Sequence, residues 1–278
     1  MKLHKFHQLD VFTAEPLLGN PLAVVHAADG LSDERIAAFA RWTNLSETTF
    51  LLQPTEAGAD YRVRIFTPGG ELPFAGHPTL GSCYAWLAAG GLPQHAGEVV
   101  QQCGVGSVRV RRDGARLAFA APPCKREAVE AALLQQVCAA LGLPVRQVLA
   151  SSWLDNGPRW LGLQMADAEQ LRGLSPDHSA LRSLAKVGIV APQTPGADTQ
   201  FEVRAFAAPL GINEDPVTGS LNASLAQWLI GAHLAPRAYV AAQGTAMGRA
   251  GRVHINEAAG TVWVGGDVAG CIEGTVAL

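Results

Sequence analysis

What is scarce in this sequence narrows its function before any motif is read. Charged residues make up only 16% of the 278, with 21 Lys+Arg against 24 Asp+Glu and a formal net charge of -3. No basic cluster stands out, so neither nucleic acid nor an anionic membrane is expected as a partner. No apolar run is long enough to span a bilayer, and the opening Met1-Lys2-Leu3-His4-Lys5-Phe6-His7 lacks the apolar core of a secretory leader. The five cysteines are odd in number, and the closest pair, Cys124 and Cys138, is 14 residues apart. Without C-x-x-C spacing, neither a disulfide framework nor a zinc cluster is indicated. His4 and His7 lie three apart on an expected strand and so point to opposite faces. A reduced, cytoplasmic protein with no metal and no cofactor is the expectation.

What is present is apolar: 48% of the residues, with mean hydropathy +0.14. That excludes a disordered chain, and the length suffices for a core without covalent staples. The length also favours two domains, and an internal repeat gives them a form. His77-Pro78-Thr79-Leu80-Gly81-Ser82 resembles Asp215-Pro216-Val217-Thr218-Gly219-Ser220 at an offset of 138 (77 to 215). Val63-Arg64-Ile65-Phe66 matches Val203-Arg204-Ala205-Phe206 at 140 (63 to 203), and Ala28-Asp29 echoes Ala166-Asp167 at 138 (28 to 166). A duplicated unit is the simplest account.

Each unit reads as α+β. In the first, strands are predicted at 10–13, 22–26, 48–52, 62–66, 107–112 and 116–120, the last two joined by an Asp113-Gly114 turn. A helix is predicted over 33–42 with Ser32 as its cap, and another after Pro78. The second unit opens with a helix predicted over 126–141, closed by Gly142. Strands follow at 160–164, 188–191 and 202–206, then a helix after Pro216 and strands at 239–242, 252–255 and 261–264. Pro122-Pro123 marks the boundary, giving halves 1–122 and 123–278, with the tail 268–278 a candidate to pair back with the first half.

The repeat supplies two matched helix starts. Free N–H groups of a first turn, aided by the helix dipole, attract a carboxylate. If the halves face each other, two such ends converge, which suits a small anionic organic substrate. The plainer alternative makes Asp215 a helix cap and Pro78 and Pro216 helix starters. Glu47, in Asn44-Leu45-Ser46-Glu47-Thr48-Thr49-Phe50, precedes an apolar run. A carboxyl entering a buried strand is expected to hold its proton more tightly, as a proton shuttle requires; a solvated loop acid is the plainer alternative. Offsets of 138 to 140 from Glu47 reach Ala185, Lys186 and Val187, so only one half has an acid at this place. No serine lies in G-x-S-x-G, which disfavours a hydrolase.

Together these segments resemble the PhzF-like isomerases of the phenazine biosynthesis type, relatives in fold of diaminopimelate epimerase. The resemblance runs through Asp10-Val11-Phe12-Thr13, Gly19-Asn20-Pro21, the Glu47 segment and Arg64-Ile65-Phe66-Thr67-Pro68. It continues in Glu71-Leu72-Pro73-Phe74-Ala75-Gly76-His77-Pro78-Thr79, Glu214-Asp215-Pro216-Val217-Thr218-Gly219-Ser220 and Gln243-Gly244. It implies two pseudo-symmetric domains, each a curled, mostly antiparallel sheet around a central helix. It further implies a homodimer and an active site between the domains. By resemblance Glu47 is the acid/base, His77 and Asp215 complete the catalytic set, and Gly76, Pro78, Thr79, Gly219 and Ser220 contact substrate.

Related epimerases place a cysteine at each helix start; here those places carry Gly76-His77 and Asp215, while Cys83 falls in the helix body. A one-base proton shift on a carboxylate-bearing substrate is therefore expected. The alternatives are an epimerase or racemase of a small hydroxy or amino acid, and a binding paralogue without turnover.

Overall fold

The computed structural model describes residues 2–278, apart from the side chain of Asp113. The chain divides into two compact units, Met1–Ala120 with Gly265–Leu278, and Ala121–Val264.

The first unit contains β1 (Leu3–Val11), β2 (Asn20–Val25), α1 (Asp33–Thr43), β3 (Glu47–Leu52), β4 (Tyr61–Thr67), β5 (Gly70–Leu72), α2 (Gly76–Ala88), β6 (Glu98–Cys103), β7 (Gly106–Asp113) and β8 (Arg116–Ala120). The C-terminal strand Val268–Ala277 runs antiparallel to β1, and β1 antiparallel to β2. β2 then pairs parallel with β3, β3 antiparallel with β4, β4 parallel with β6, and β6 to β8 form antiparallel neighbours. This sheet curls around α2, which packs against β1, β2, β3, β6, β7 and β8. Because sheet surrounds it, α2 is buried on every side over Gly76–Cys83 rather than along one stripe. Leu80, Cys83 and Ala85 are fully buried. Gly81 lets the helix approach β2, since a Cβ there would lie 2.4 Å from Leu22 Cδ2. On the sheet's other face α1 buries Ile36, Phe39 and Ala40 against Val25, Phe50 and Phe66.

The second unit contains β9 (Lys125–Glu127), α3 (Ala131–Leu141), β10 (Ala150–Asp155), β11 (Arg159–Gln164), α4 (Ala168–Arg172), α5 (His178–Leu181), β12 (Val187–Pro192), β13 (Phe201–Phe206), α6 (Gly219–Gly231), β14 (Ala238–Gln243), β15 (Gly251–Ala258) and β16 (Thr261–Gly266). β11 pairs parallel with β12 and β13 parallel with β14, while β9–β10, β10–β11, β12–β13 and β14–β15 are antiparallel. α6 is the counterpart of α2, thirteen residues long like it and buried over most of its surface. Val137, Leu141, Leu163, Leu171, Ile189 and Phe206 form a second apolar layer under α3 and α4.

The duplication persists in detail. Arg64 lies 5.0 Å over the Phe66 ring and Arg204 4.9 Å over Phe206, each two residues back on the matched strands β4 and β13. Each arginine also forks onto a glutamate, Glu71 and Glu214 respectively. The caps hold as the sequence predicts: Ser32 accepts from the N–H of Arg35, and Gly142 closes α3 in the left-handed region at φ 66°.

Four local expectations are corrected. The β7–β8 turn is Gly114-Ala115, since Asp113 pairs with Arg116. Residues 125–127 form a strand rather than the start of α3, because Arg126 pairs with Leu154 along β10. Pro78 is the third residue of α2, which begins at Gly76. Pro216 precedes α6 altogether, with Thr218 as the N-terminal flanking residue, so Asp215 is not its cap.

Candidate active site

In the first unit, Glu47 and His77 come together. Glu47 opens β3, paired with Leu22 of β2, and its side chain is 14% exposed. His77 is the second residue of α2 and is 3% exposed. Glu47 Oε2 lies 3.4 Å from His77 Nε2. The other ring nitrogen, Nδ1, is 3.4 Å from Nδ2 of Asn20, a fully buried residue.

The start of α2 is fixed from beneath by a run of hydrogen bonds. Tyr61 donates to Gln101 Oε1 (2.8 Å), Gln101 Nε2 to Thr79 Oγ1 (3.1 Å), and the Thr79 hydroxyl to the carbonyl of Ala75 (2.9 Å). The Thr79 hydroxyl thus links Gln101 to the first turn of α2. Ser82, one turn on, donates to Thr49 of β3 (2.9 Å), tying the helix to the strand that carries Glu47. Gly76 and His77 keep first-turn N–H groups with no intrahelical acceptor, and Pro78 has none to satisfy.

Burial pulls the His77 pKa from 6.5 down to about 3. An imidazolium in so enclosed a site would lose the hydration that stabilises its charge. His26 is a second neutral ring, lowered to about 4 by burial and then by His7, whose Nδ1 is 2.8 Å from His26 Nε2. Both folded pKa values lie below the ordinary 6.5, so stability is complete above about 6.5 and falls as acid protonates the unfolded chain but not the native rings. Each ring contributes a slope of about 1.4 kcal/mol per pH unit in that window. Urea midpoints are expected to decline steadily from about pH 7 to about pH 5, ahead of most carboxylate titration; a flat profile would contradict neutral buried histidines.

Cys83 is fully buried within α2, and burial pushes its thiol up to about 12. A thiol so placed is no nucleophile or base near neutrality. Among the described residues, no group of three or more His, Cys, Asp or Glu is placed to hold a metal ion. No helix of the described residues is long and apolar enough to cross a membrane.

In the second unit, Asp215 sits on the approach to α6, and Gly219 and Ser220 are its first two residues. The irregular turn ahead of the helix is organised by Gln243 at the end of β14. Its Oε1 accepts from Thr218 N–H (3.0 Å) and Asn222 Nδ2 (2.8 Å), and its Nε2 donates to Asp215 O (3.1 Å) and Thr218 Oγ1 (3.0 Å). The Thr218 hydroxyl in turn donates to Asp215 Oδ2 at 2.6 Å. Asp215 is 8% exposed and its N–H reaches back to the carbonyl of Ala205 on β13. Ser220 accepts at Oγ from the Trp160 indole N–H (3.3 Å), which leaves its own proton to donate, while Asn156 Nδ2 holds its carbonyl (2.9 Å). Gly219 is the first residue of α6.

Asn20, Gln243, Asn156 and Trp160 carry no assigned role in the sequence reading. Asn20 and Gln243 stand in motifs quoted there, yet the partners that give them meaning are 57 and 25 residues away.

Against known proteins, residues 9–274 match the family model described as phenazine biosynthesis-like protein, PhzC-PhzF. The chain is 36% identical to antisense-enhancing sequence 1 of Schizosaccharomyces pombe, over 99% of each chain. It is 36% identical to the trans-2,3-dihydro-3-hydroxyanthranilate isomerase of Pseudomonas aeruginosa, over 81% of this chain and 79% of that one. Among solved structures, a phenazine biosynthesis protein of the PhzF family from Bacillus anthracis matches with TM-score 0.87 at 21% identity, over 100% of both chains. That last likeness is one of fold.

Proposed function

This chain belongs to the PhzC-PhzF family of phenazine biosynthesis-like proteins and is an isomerase, and we propose that it moves a proton on a small carboxylate-bearing substrate with Glu47 as its single acid/base. The observation that carries the proposal is the contact of Glu47 Oε2 with His77 Nε2 at 3.4 Å, at the half-buried head of β3. A carboxylate there can take a proton from a carbon acidified by an adjacent carboxylate or enol system. Holding the proton on one oxygen pair, it can return it to another carbon on the same face. The His77 ring orients the carboxylate, and its first-turn backbone N–H is offered to a substrate oxygen. Asp215 and Ser220 are proposed as substrate contacts, Ser220 through the hydroxyl proton that Trp160 leaves unused. The first-turn N–H groups at Gly76 and Gly219 favour an anion.

A two-thiol racemase is the weaker reading, since the helix starts carry Gly76-His77 and Gly219-Ser220 and the nearest thiol, Cys83, is sealed in α2. The test is turnover in D₂O of a panel that includes trans-2,3-dihydro-3-hydroxyanthranilate, the compound in the relative's name, and small hydroxy and amino acids. Product with the double bond moved is expected, its new C–H carrying deuterium to the extent that the Glu47 carboxyl exchanges with D₂O before returning the proton. Exchange with inversion at one carbon would instead make the protein an epimerase, and silence across the panel would leave it a binder.

A further inference from the structure

Two contacts bear on the His77 ring from opposite sides, and they constrain each other. Asn20 Nδ2 is 3.4 Å from Nδ1, and Glu47 Oε2 is 3.4 Å from Nε2. A neutral imidazole has one donor and one acceptor nitrogen. Facing a carboxylate, Nε2 must carry the proton, because two lone pairs at that separation repel. The enclosed site disfavours a second proton on the ring. Nδ1 is then the acceptor, and of the Asn20 amide only the NH₂ end can meet it.

The backbone holds Asn20 in place independently of its side chain. Asp10 Oδ2 accepts from the N–H of Gly19 (3.2 Å), and Asn20 pairs with Val11 across β1 and β2. Gly19 itself has no room for a side chain, since a Cβ would lie 2.4 Å from the Val11 carbonyl oxygen. The strand thus delivers a short amide to the histidine, and the identity of that side chain decides the ring's proton.

We propose that Asn20 is a positioning residue: by donating from Nδ2 to His77 Nδ1, it holds His77 as the neutral tautomer whose Nε2–H faces the Glu47 carboxylate. The tautomer stands on the two ring contacts together with the enclosure of the ring; its consequence for turnover rests on the reading of Glu47 as the acid/base. A neutral donor orients that carboxylate without the full charge of an imidazolium, which would hold it ionised and weaken it as a base. Aspartate at position 20 inverts the arrangement. Its carboxylate accepts from Nδ1–H and stabilises imidazolium, as the acid of a hydrolase triad does for its histidine.

The test is nitrogen NMR of the imidazoles in the full-length protein labelled with ¹⁵N-histidine, near neutral pH, with His77→Gln used to assign the His77 signals. Wild type is expected to show a pyridine-type Nδ1 and a protonated Nε2. Asn20→Asp is expected to show both nitrogens protonated, with kcat reduced at least tenfold and KM changed by less than about threefold, the split expected when the base rather than binding is impaired. A wild-type ring protonated at Nδ1 overturns the proposal whatever the variants do. So does an Asn20→Asp ring that keeps the wild-type pattern. If the tautomer is as stated but Glu47→Gln retains full turnover, the acid/base reading fails and the Asn20 assignment survives it.

Discussion

Glu47→Gln is expected to lower turnover by roughly 10²–10⁴-fold, the range general acid–base groups supply, while leaving ligand affinity nearly unchanged. Glutamine keeps the size of the side chain and an oxygen able to accept from His77 Nε2, so the 3.4 Å contact and the head of β3 have no reason to move. What is removed is the capacity to take up and release a proton. Calorimetric binding of a panel compound that wild type turns over, set beside its rate of deuterium uptake, separates the two properties. Binding without exchange is the expected pattern. Full exchange by the variant would remove Glu47 from the mechanism, and loss of both would mean that the carboxylate serves to hold substrate.

The duplication was legible in the sequence because its signature residues are local: an arginine two before a phenylalanine, and a short polar motif running into an apolar helix. Those pieces recur in both units, down to the guanidinium over the ring. Legibility ended where long-range partners override local chemistry. Residues 126–130 have helix-forming composition, yet the ladder between Arg126 and Leu154 makes 125–127 a strand. β6 escaped notice because Gln101 and Gln102 break its apolar pattern; their amides are met by Tyr61, Thr79 and Thr55 from distant segments. Asp215-Pro216 looks like a helix start, but the Gln243 amide, from β14, binds Thr218 and Asp215 and defers α6 to Gly219. Glu47 and His77 were separately suspect in the sequence, whereas Asn20 could be valued only once β2 and α2 were seen to bring it to Nδ1.

Arg204→Met is expected to destabilise the protein by about 3–5 kcal/mol, the cost of breaking a buried ion pair from one side. The Arg204 side chain is 6% exposed and that of Glu214 11%. Arg204 meets Glu214 through Nε (2.9 Å) and Nη2 (2.7 Å), and its Nη1 serves the carbonyls of Leu171, Arg172 and Leu174. Methionine fills much of the volume but strands a carboxylate and removes one donor from each of three carbonyls, of which Leu171 O keeps the Leu174 N–H (3.3 Å), and unmet buried acceptors are what make such changes expensive. The matched change in the first unit is an internal control. Arg64 is 24% exposed and its partners Asp33 and Glu71 are 76% and 42% exposed, so Arg64→Met is expected to cost only ~0–1 kcal/mol. Urea unfolding of the two variants side by side reads the difference. Because Glu214 adjoins Asp215, Arg204→Met is also expected to loosen the turn that Gln243 organises and to weaken ligand binding more than Arg64→Met does. Pairing it with Glu214→Leu should recover part of the stability by removing the stranded carboxylate, though not the part due to the three carbonyls. Equal costs at positions 64 and 204 would show that burial does not set the strength of this repeated pair.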